Sequence, residues 1–505
     1  MRANHKNALL AIAFLAGLSA FAIRGRSAAI ATPQSAPAPD VALSARIARI
    51  ESGLLPAVVI KGAPPKPMSI SERMAFYKVP GVSVAFFDHG QVVWARGYGL
   101  ADVASQKPVT PETLFQAASI SKPVSALAAL RLVQDGKLSL DEDVNVKLKS
   151  WKVPDTAFTE KEKVTLRRIL SHSAGLTVHG FPGYAAGEPI PSVVQILNGE
   201  KPANNDPIRV DVVPGTLWRY SGGGYVILQT LLSDVTGKPF PQLMRELVLD
   251  PVGMTHSTFE QPLPKSRAAE ASTPYRSNGD PVKGGAHTYP EMAPAGLWTT
   301  PSDLARMAIE VQNEFAGKSS RILNQSTARQ MLTPQIGTWG LGFGLDNPGP
   351  APRFSHGGGN EGYRCDLEAY TGSSQGVAIM TNSDSGGDLF GEIIRSVAKE
   401  YGWPDFHPTE HALLKMNPAL FEPYVGTYEV PGTGKLVVTL KSNSLYIQAD
   451  PLGPEPLQLF PDSEKSFFIL TGDVTFSFDR PASTDSPMQL TIHAGPQTFV
   501  AQKIS

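Results

Sequence analysis

Ser119 and Lys122 stand three residues apart in Ser119-Ile120-Ser121-Lys122. On a helix that spacing puts both side chains on one face, where a hydroxyl and an amine can meet. A serine hydroxyl is a weak nucleophile until a neighbouring base takes its proton, and a lysine amine can be that base once burial lowers its pKa. The start of a helix also offers free N–H groups to a developing oxyanion. The chemistry so assembled is acyl transfer through a covalent serine intermediate. Average serine and lysine usage yields about one or two such matches by chance in a chain of this length, so the pair needs context. Three other groups compete with it. Gly372-Ser373-Ser374-Gln375-Gly376 fits G-x-S-x-G, but that elbow needs a strand-to-helix turn, and this one joins two strand-like runs, so it reads as a hairpin turn. His172 and His179 lack metal-ligand spacing, and His172 reads as packing beside the site. Cys365, the only cysteine, reads as buried core.

The flanking text supplies the context. It comprises TLFQAASISKP (Thr113–Pro123), GKLSLDEDV (Gly136–Val144), LRRILSHSAGL (Leu166–Leu176), WRYSGGGY (Trp218–Tyr225), PAGLWTTPSDLARM (Pro294–Met307) and HGGGNEG (His356–Gly362). In wording and order these landmarks, spread from about Pro80 to Ser385, resemble the β-lactamase and penicillin-binding protein family in its class C and esterase branch. The resemblance implies that Ser119 is the acylated nucleophile, Lys122 its activating partner and Tyr220 the second acid/base. It sets His356-Gly357-Gly358 where β-lactamases carry Lys-Thr-Gly. His356, Gly357, Gly358 and Gly359 then line the substrate, with the N–H groups near Gly359 and of Ser119 as oxyanion donors. Tyr220 lies between Pro214-Gly215 and Gly222-Gly223-Gly224, which predicts a tight loop. A phenol becomes a usable base beside a cation, and Lys122 is the expected cation. Two departures bear on substrate. The family's Tyr-x-Asn reads Tyr220-Ser221-Gly222, so the amide that would hold a substrate amide is absent, and His356 replaces a fixed cation with an imidazole.

The elements that must position these residues follow from patterning. Val82–Phe87 and Val92–Tyr98 are strand-like runs around Asp88-His89-Gly90, a hairpin signal. Ser119–Gly136, Ser302–Gln312 and Leu389–Tyr401 read as helices, and Leu341–Leu345, Cys365–Tyr370 and Gly376–Thr381 as late strands. Strands from both ends around a central helical region predict an α+β domain, with an antiparallel sheet flanked by helices. From about Phe421 some eight short strand-like runs, among them Lys435–Lys441 and Val474–Phe478, predict a small antiparallel β-barrel. This segment also resembles the lipocalin-like appendage of many family members.

Basic Arg2, His5 and Lys6 precede about 16 apolar residues, Ala8–Ile23, too few for the ~20 that span a bilayer. With Ala20-Phe21-Ala22 they predict a signal peptide, cut after Ala22 or near Ala29, and a periplasmic or secreted enzyme with no transmembrane segment after cleavage. The expected layout is signal peptide 1–30, Pro/Ala linker 31–40, hydrolase domain 41–402, linker 403–420 and barrel 421–505. Lys plus Arg number 45 against 46 Asp plus Glu, which leaves no basic footprint for nucleic acid. A single cysteine excludes an intramolecular disulfide framework and cysteine-rich metal centres. No cofactor and no metal is expected. The sequence therefore points to a serine hydrolase of small esters or amides. The alternatives are a D-amino-acid peptidase, a class C-like β-lactamase, and an acylated non-turnover sensor or cell-wall peptide-binding protein.

Overall fold

Every residue from Val82 to Phe87 is buried, so this run is a strand covered on both faces. His89 and Gly90, with φ of 48° and 76°, make the two-residue left-handed turn that returns the chain as a hairpin. The computed structural model describes residues 39–63, 65–346, 351–431, 434–449, 456–479, 487–494 and 497–505. The expected signal peptide and most of the 31–40 linker lie outside them. Arg46 to Ser505 form one compact unit.

Up to residue 411 the strands are β1 (Val58–Ile60), β2 (Gly81–Asp88), β3 (Gln91–Asp102), β4 (Lys107–Pro108), β5 (Phe115–Gln116), β6 (Trp298–Thr299), β7 (Gly344–Asp346), β8 (Arg353–Asn360), β9 (Tyr363–Tyr370), β10 (Gly376–Thr381) and β11 (Thr409–His411). Seven of them form one antiparallel sheet in the order β4-β3-β2-β10-β9-β8-β7. Early and late strands thus meet at β2 and β10, and the helical region is inserted between them. Alternation along β2 sends successive rings to opposite faces. Phe87 joins the main core with Leu304, Ala308 and Val311 of helix Pro301–Phe315. Phe86 stacks at 3.8 Å on Tyr401, at the end of helix Gly386–Tyr401. Helix Pro301–Phe315 starts where Thr300 accepts the Asp303 N–H at 3.2 Å and Pro301 fills the first helical position.

Three details go beyond the sequence reading. The glycine run at 356–359 lies on strand β8, which pairs with β9 from Arg353 to Asn360. Tyr220 lies in an irregular stretch, as expected, and Gly222–Gly224 open helix Gly222–Thr236, with Ser221 accepting the Gly224 N–H at 3.0 Å as its cap. The strand expected at Leu341–Leu345 is the three-residue β7 at Gly344–Asp346.

The C-terminal segment is a closed eight-stranded antiparallel barrel running from Gly426–Val430 to Gln497–Lys503. Closure comes from first strand pairing with last, Tyr428 opposite Lys503. Its own core includes Tyr428, Leu445, Ile447, Phe467, Phe476, Phe478 and Leu490. The stretch 403–420 contributes β11, which pairs in parallel with β1. His411 on β11 stacks at 4.4 Å on Phe468 of the barrel, and Thr409 donates to Asp473 at 2.8 Å. Because the barrel has a separate core, a chain ending at Met416, which keeps β11 whole, is expected to stay soluble and to react at Ser119. Insolubility of that protein, read by gel filtration, would show that the barrel completes the hydrolase core.

Candidate active site

Ser119 is delivered by a short, constrained path. β5 pairs with β6, Phe115 opposite Thr299, and Ala117 N–H donates to Leu297 O at 2.8 Å. Ala118 then takes φ of 47°, an uncommon left-handed conformation for a residue with a Cβ. The chain turns there into the 3-10 turn Ala118–Ile120 and runs on as helix Ser121–Gln134, which buries Lys122 to 2% exposure. Ser119 itself remains partly exposed.

Lys122 Nζ lies 2.9 Å from Ser119 Oγ and donates to Pro294 O at 3.0 Å. Burial pulls its pKa down to about 7, with no acidic partner to raise it. Near neutral pH the amine can therefore be free to accept the serine proton. Tyr220 stands over this pair, its ring centroid 4.8 Å from Lys122 Nζ. Burial pushes its pKa up, and a hydrogen bond with Ser119 opposes that only in part. Burial thus works against a phenolate beside a cationic Lys122, because it favours the neutral form of both groups.

Two histidines flank Tyr220. His172, itself left-handed at φ 57°, stacks on Tyr220 at 4.2 Å, and its Nδ1 accepts the Ser221 N–H at 3.1 Å. His356 lies on β8 with its ring 6.3 Å from Tyr220, and its Nδ1 is 2.6 Å from Gly357 O. A carbonyl oxygen only accepts, so His356 Nδ1 carries the proton, and in the neutral ring Nε2 is a bare acceptor. Burial, aided by the Lys122 charge, lowers the His356 pKa to about 3, and His172 is likewise pushed well down, chiefly by burial. Both rings are neutral at pH 7.

The glycine strand lies against the nucleophile turn. A Cβ on Gly358 would stand 2.3 Å from Ala117 O and 2.5 Å from Cys365 Sγ, so only glycine fits. Cys365, buried as expected, donates its thiol to Ala117 O at 3.0 Å. Among the described residues β7 pairs with β8 only at Arg353–Ser355, which leaves the edge from His356 through Gly357, Gly358 and Gly359 without a strand partner there on that side. Asn360 fixes the end of that edge, donating to Gln116 Oε1 at 2.8 Å and to Ala295 O at 3.1 Å.

Ser119, Lys122, Tyr220 and His356 are thus brought together from three separate stretches of chain, and Ser374 is not. Ser374 sits at φ 62° in the turn between β9 and β10. Sequence reasoning missed Trp218, Trp339, Gln116 and Asn360. Asn360 had a local signal, directly after three glycines, whereas Trp339 gains its place only by folding, 5.2 Å from His172 and 5.6 Å from His356. Among the described residues no group of three or more His, Cys, Asp or Glu could hold a metal ion, and no helix is long and apolar enough to cross a membrane.

Residues 69–400 match the family model described as Beta-lactamase, and residues 414–503 match a domain of unknown function, DUF3471. The chain is 23% identical over 428 residues to penicillin-binding protein 4* of Bacillus subtilis, covering 78% of this chain and 89% of that protein. Its fold is similar to the octameric penicillin-binding protein homologue from Pyrococcus abyssi, with TM-score 0.58, 22% identity and 85% and 98% of the two chains covered. It is also similar to D-amino acid amidase from Ochrobactrum anthropi, with TM-score 0.51, 21% identity and 66% and 97% covered.

Proposed function

The chain belongs to the Beta-lactamase family and is a serine hydrolase, and on that premise we propose that it hydrolyses small esters or amides through an acyl-Ser119 intermediate. The observation that carries this is the buried Lys122 amine, 2.9 Å from Ser119 Oγ and without an acidic partner. In the proposed cycle Lys122 takes the hydroxyl proton as Oγ bonds to the substrate carbonyl carbon. The N–H groups of Ser119 and Gly359 hold the oxyanion. Tyr220, still protonated, gives its proton to the leaving oxygen or nitrogen and is reprotonated by Lys122. Water then repeats the sequence in reverse and frees the acid. His356 enters as a hydrogen-bond acceptor for the substrate, since so low a pKa leaves Nε2 bare and the one ring proton is held at Nδ1 by Gly357 O.

On this reading Tyr220→Phe keeps the ring stack and loses only the proton donor. Its kcat is expected to fall by about a hundredfold or more. Near wild-type kcat with an ester of a good leaving group and also with an amide would make the tyrosine structural.

Two features favour esters over β-lactams. No permanent cation stands at position 356, and Gly222 offers no amide. Nor can Asn simply be restored there, because a Cβ on Gly222 would lie 3.0 Å from His179 O and 3.1 Å from the Phe181 ring. Short-acyl esters are therefore expected to exceed cephalosporins in kcat/KM by at least about tenfold. A panel of a p-nitrophenyl ester, a chromogenic cephalosporin and a D-Ala-D-Ala peptide decides this, and faster cephalosporin turnover would put β-lactamase first. The likeness to D-amino acid amidase supports D-amino-acid amides or peptides as the second reading. Export rests on the basic and apolar pattern of residues 1–23, and intact mass of the mature chain tests it.

A further inference from the structure

We propose that Trp218 and Trp339 form a wall that binds a flat, uncharged aromatic group of the substrate and so sets which ester or amide is preferred. The inference rests on the serine hydrolase reading and names the substrate class within it. Trp218 keeps 45% of its surface exposed, and its ring neighbours Tyr220, which is hydrogen-bonded to Ser119. Its ring is 5.5 Å from Trp339 at an interplanar angle of 46°, and 6.4 Å from both Tyr220 and His172. Trp339 in turn is 6.1 Å from Tyr220 and nearly perpendicular to it. Ser119, Tyr220 and Trp339 are partly exposed and Trp218 more so, and the ring contacts among Trp218, Trp339 and Tyr220 give an aromatic strip that leads to the reacting hydroxyl. Two indoles splayed at that angle can present both face and edge to a third ring, the arrangements aromatic pairs favour at 4.5–7 Å.

Charge selects the same class. His172 and His356 are neutral and Lys122 is close to its midpoint at pH 7, and the Arg364 guanidinium beside Gly359 is paired with Asp384 at 3.0 Å, so no unpaired fixed cation among these groups awaits a carboxylate. Arg219, the residue after Trp218, is committed to Asp211 and Gly175 O. Among the described residues Ser119, Lys122, Tyr220, His172 and His356 have no acidic partner, so none of these five groups is paired with a carboxylate that would select an ammonium group. A neutral aryl group meets the indoles without desolvating a charge.

The test uses pairs of esters that differ only in the aryl group, followed by pH-stat. Ethyl phenylacetate against ethyl acetate probes the acyl side, and benzyl butyrate against ethyl butyrate probes the leaving side. At least one pair is expected to favour the aryl member by about tenfold or more in kcat/KM. Trp218→Ala and Trp339→Ala should each collapse that ratio below about threefold, and Trp339→Phe should retain most of it. A second measurement needs no turnover: phenylacetamide, but not propionamide, should quench tryptophan fluorescence of Ser119→Ala protein, and less so when Trp218→Phe is added. Turnover of alkyl esters with no aryl preference in either pair, or a ratio indifferent to both alanine variants, overturns the wall and leaves the serine hydrolase standing. Absence of both turnover and Ser119 labelling overturns the hydrolase reading instead, and the wall then falls if the two amides behave alike.

Discussion

Ser119→Ala is expected to lower kcat by at least about ten-thousandfold, the scale seen when a serine nucleophile is removed from a covalent mechanism. The fold should survive. Ser119 is partly exposed, and its Oγ meets Lys122 and Tyr220, groups that serve the reaction more than the core. Thermal unfolding within a few degrees of wild type would separate lost chemistry from lost structure. A fluorophosphonate probe should add mass to the peptide containing Ser119 in the wild-type protein and to no peptide in the variant. Mass on the peptide containing Ser374 would refute the assignment, and the geometry speaks against it: that serine occupies a hairpin turn between β9 and β10.

Lys122→Ala should be almost as damaging, with a loss at the upper end of the ~10²–10⁴ range for general acid–base catalysis. Lys122→Arg should not rescue it, because guanidinium stays protonated. The wild-type pH profile carries the sharper signature. A base works deprotonated, so kcat/KM should rise with pH through about 7, the value to which burial draws this amine, and level off above it. A flat profile from about pH 5.5 to 9 would mean that Lys122 does not titrate in the rate-limiting proton transfer. Stability runs in the same direction. An unfolded lysine titrates near ~10.4. Between about 7 and that value the unfolded chain holds a proton that the folded chain has released, so wild-type stability should rise with pH over the window. Lys122→Met, which never carries the charge, should lead wild type most clearly below pH 7 in chemical denaturation.

What could be read from sequence was what the chain encodes locally. The spacing of Ser119 and Lys122 survives although the serine sits in a 3-10 turn, because the following helix carries Lys122 back toward it. Period-two alternation revealed the barrel strands, but closure depends on Tyr428 meeting Lys503 and has no local signal. The three glycines after Tyr220 marked the loop that holds it, but not the helix they open, because glycine is a poor helix former; tertiary crowding requires them, with Gly222 against His179 O and Phe181. The glycines of β8 answer to crowding too, since Ala117 O occupies the space of a side chain at Gly358. The electrostatics were least legible of all. Whether Lys122 or Tyr220 gives up a proton depends on how deeply each is buried, and the His172 ring that covers Tyr220 at 4.2 Å comes from a separate segment.

Cys365 gives this enzyme a built-in gauge of how firmly its reaction centre is held. The chain has no other thiol, and this one is sealed beneath the turn that presents Ser119, hydrogen-bonded to Ala117 O. A colorimetric disulfide reagent can reach it only when β8 and that turn come apart, so the rate of thiol release reports the frequency of that opening in the unmodified protein. Acylation of Ser119 should slow the release if the covalent adduct bridges turn and strand. Urea should hasten it well before global unfolding if the centre is a weak point of the fold, and only together with unfolding if the two are one cooperative unit.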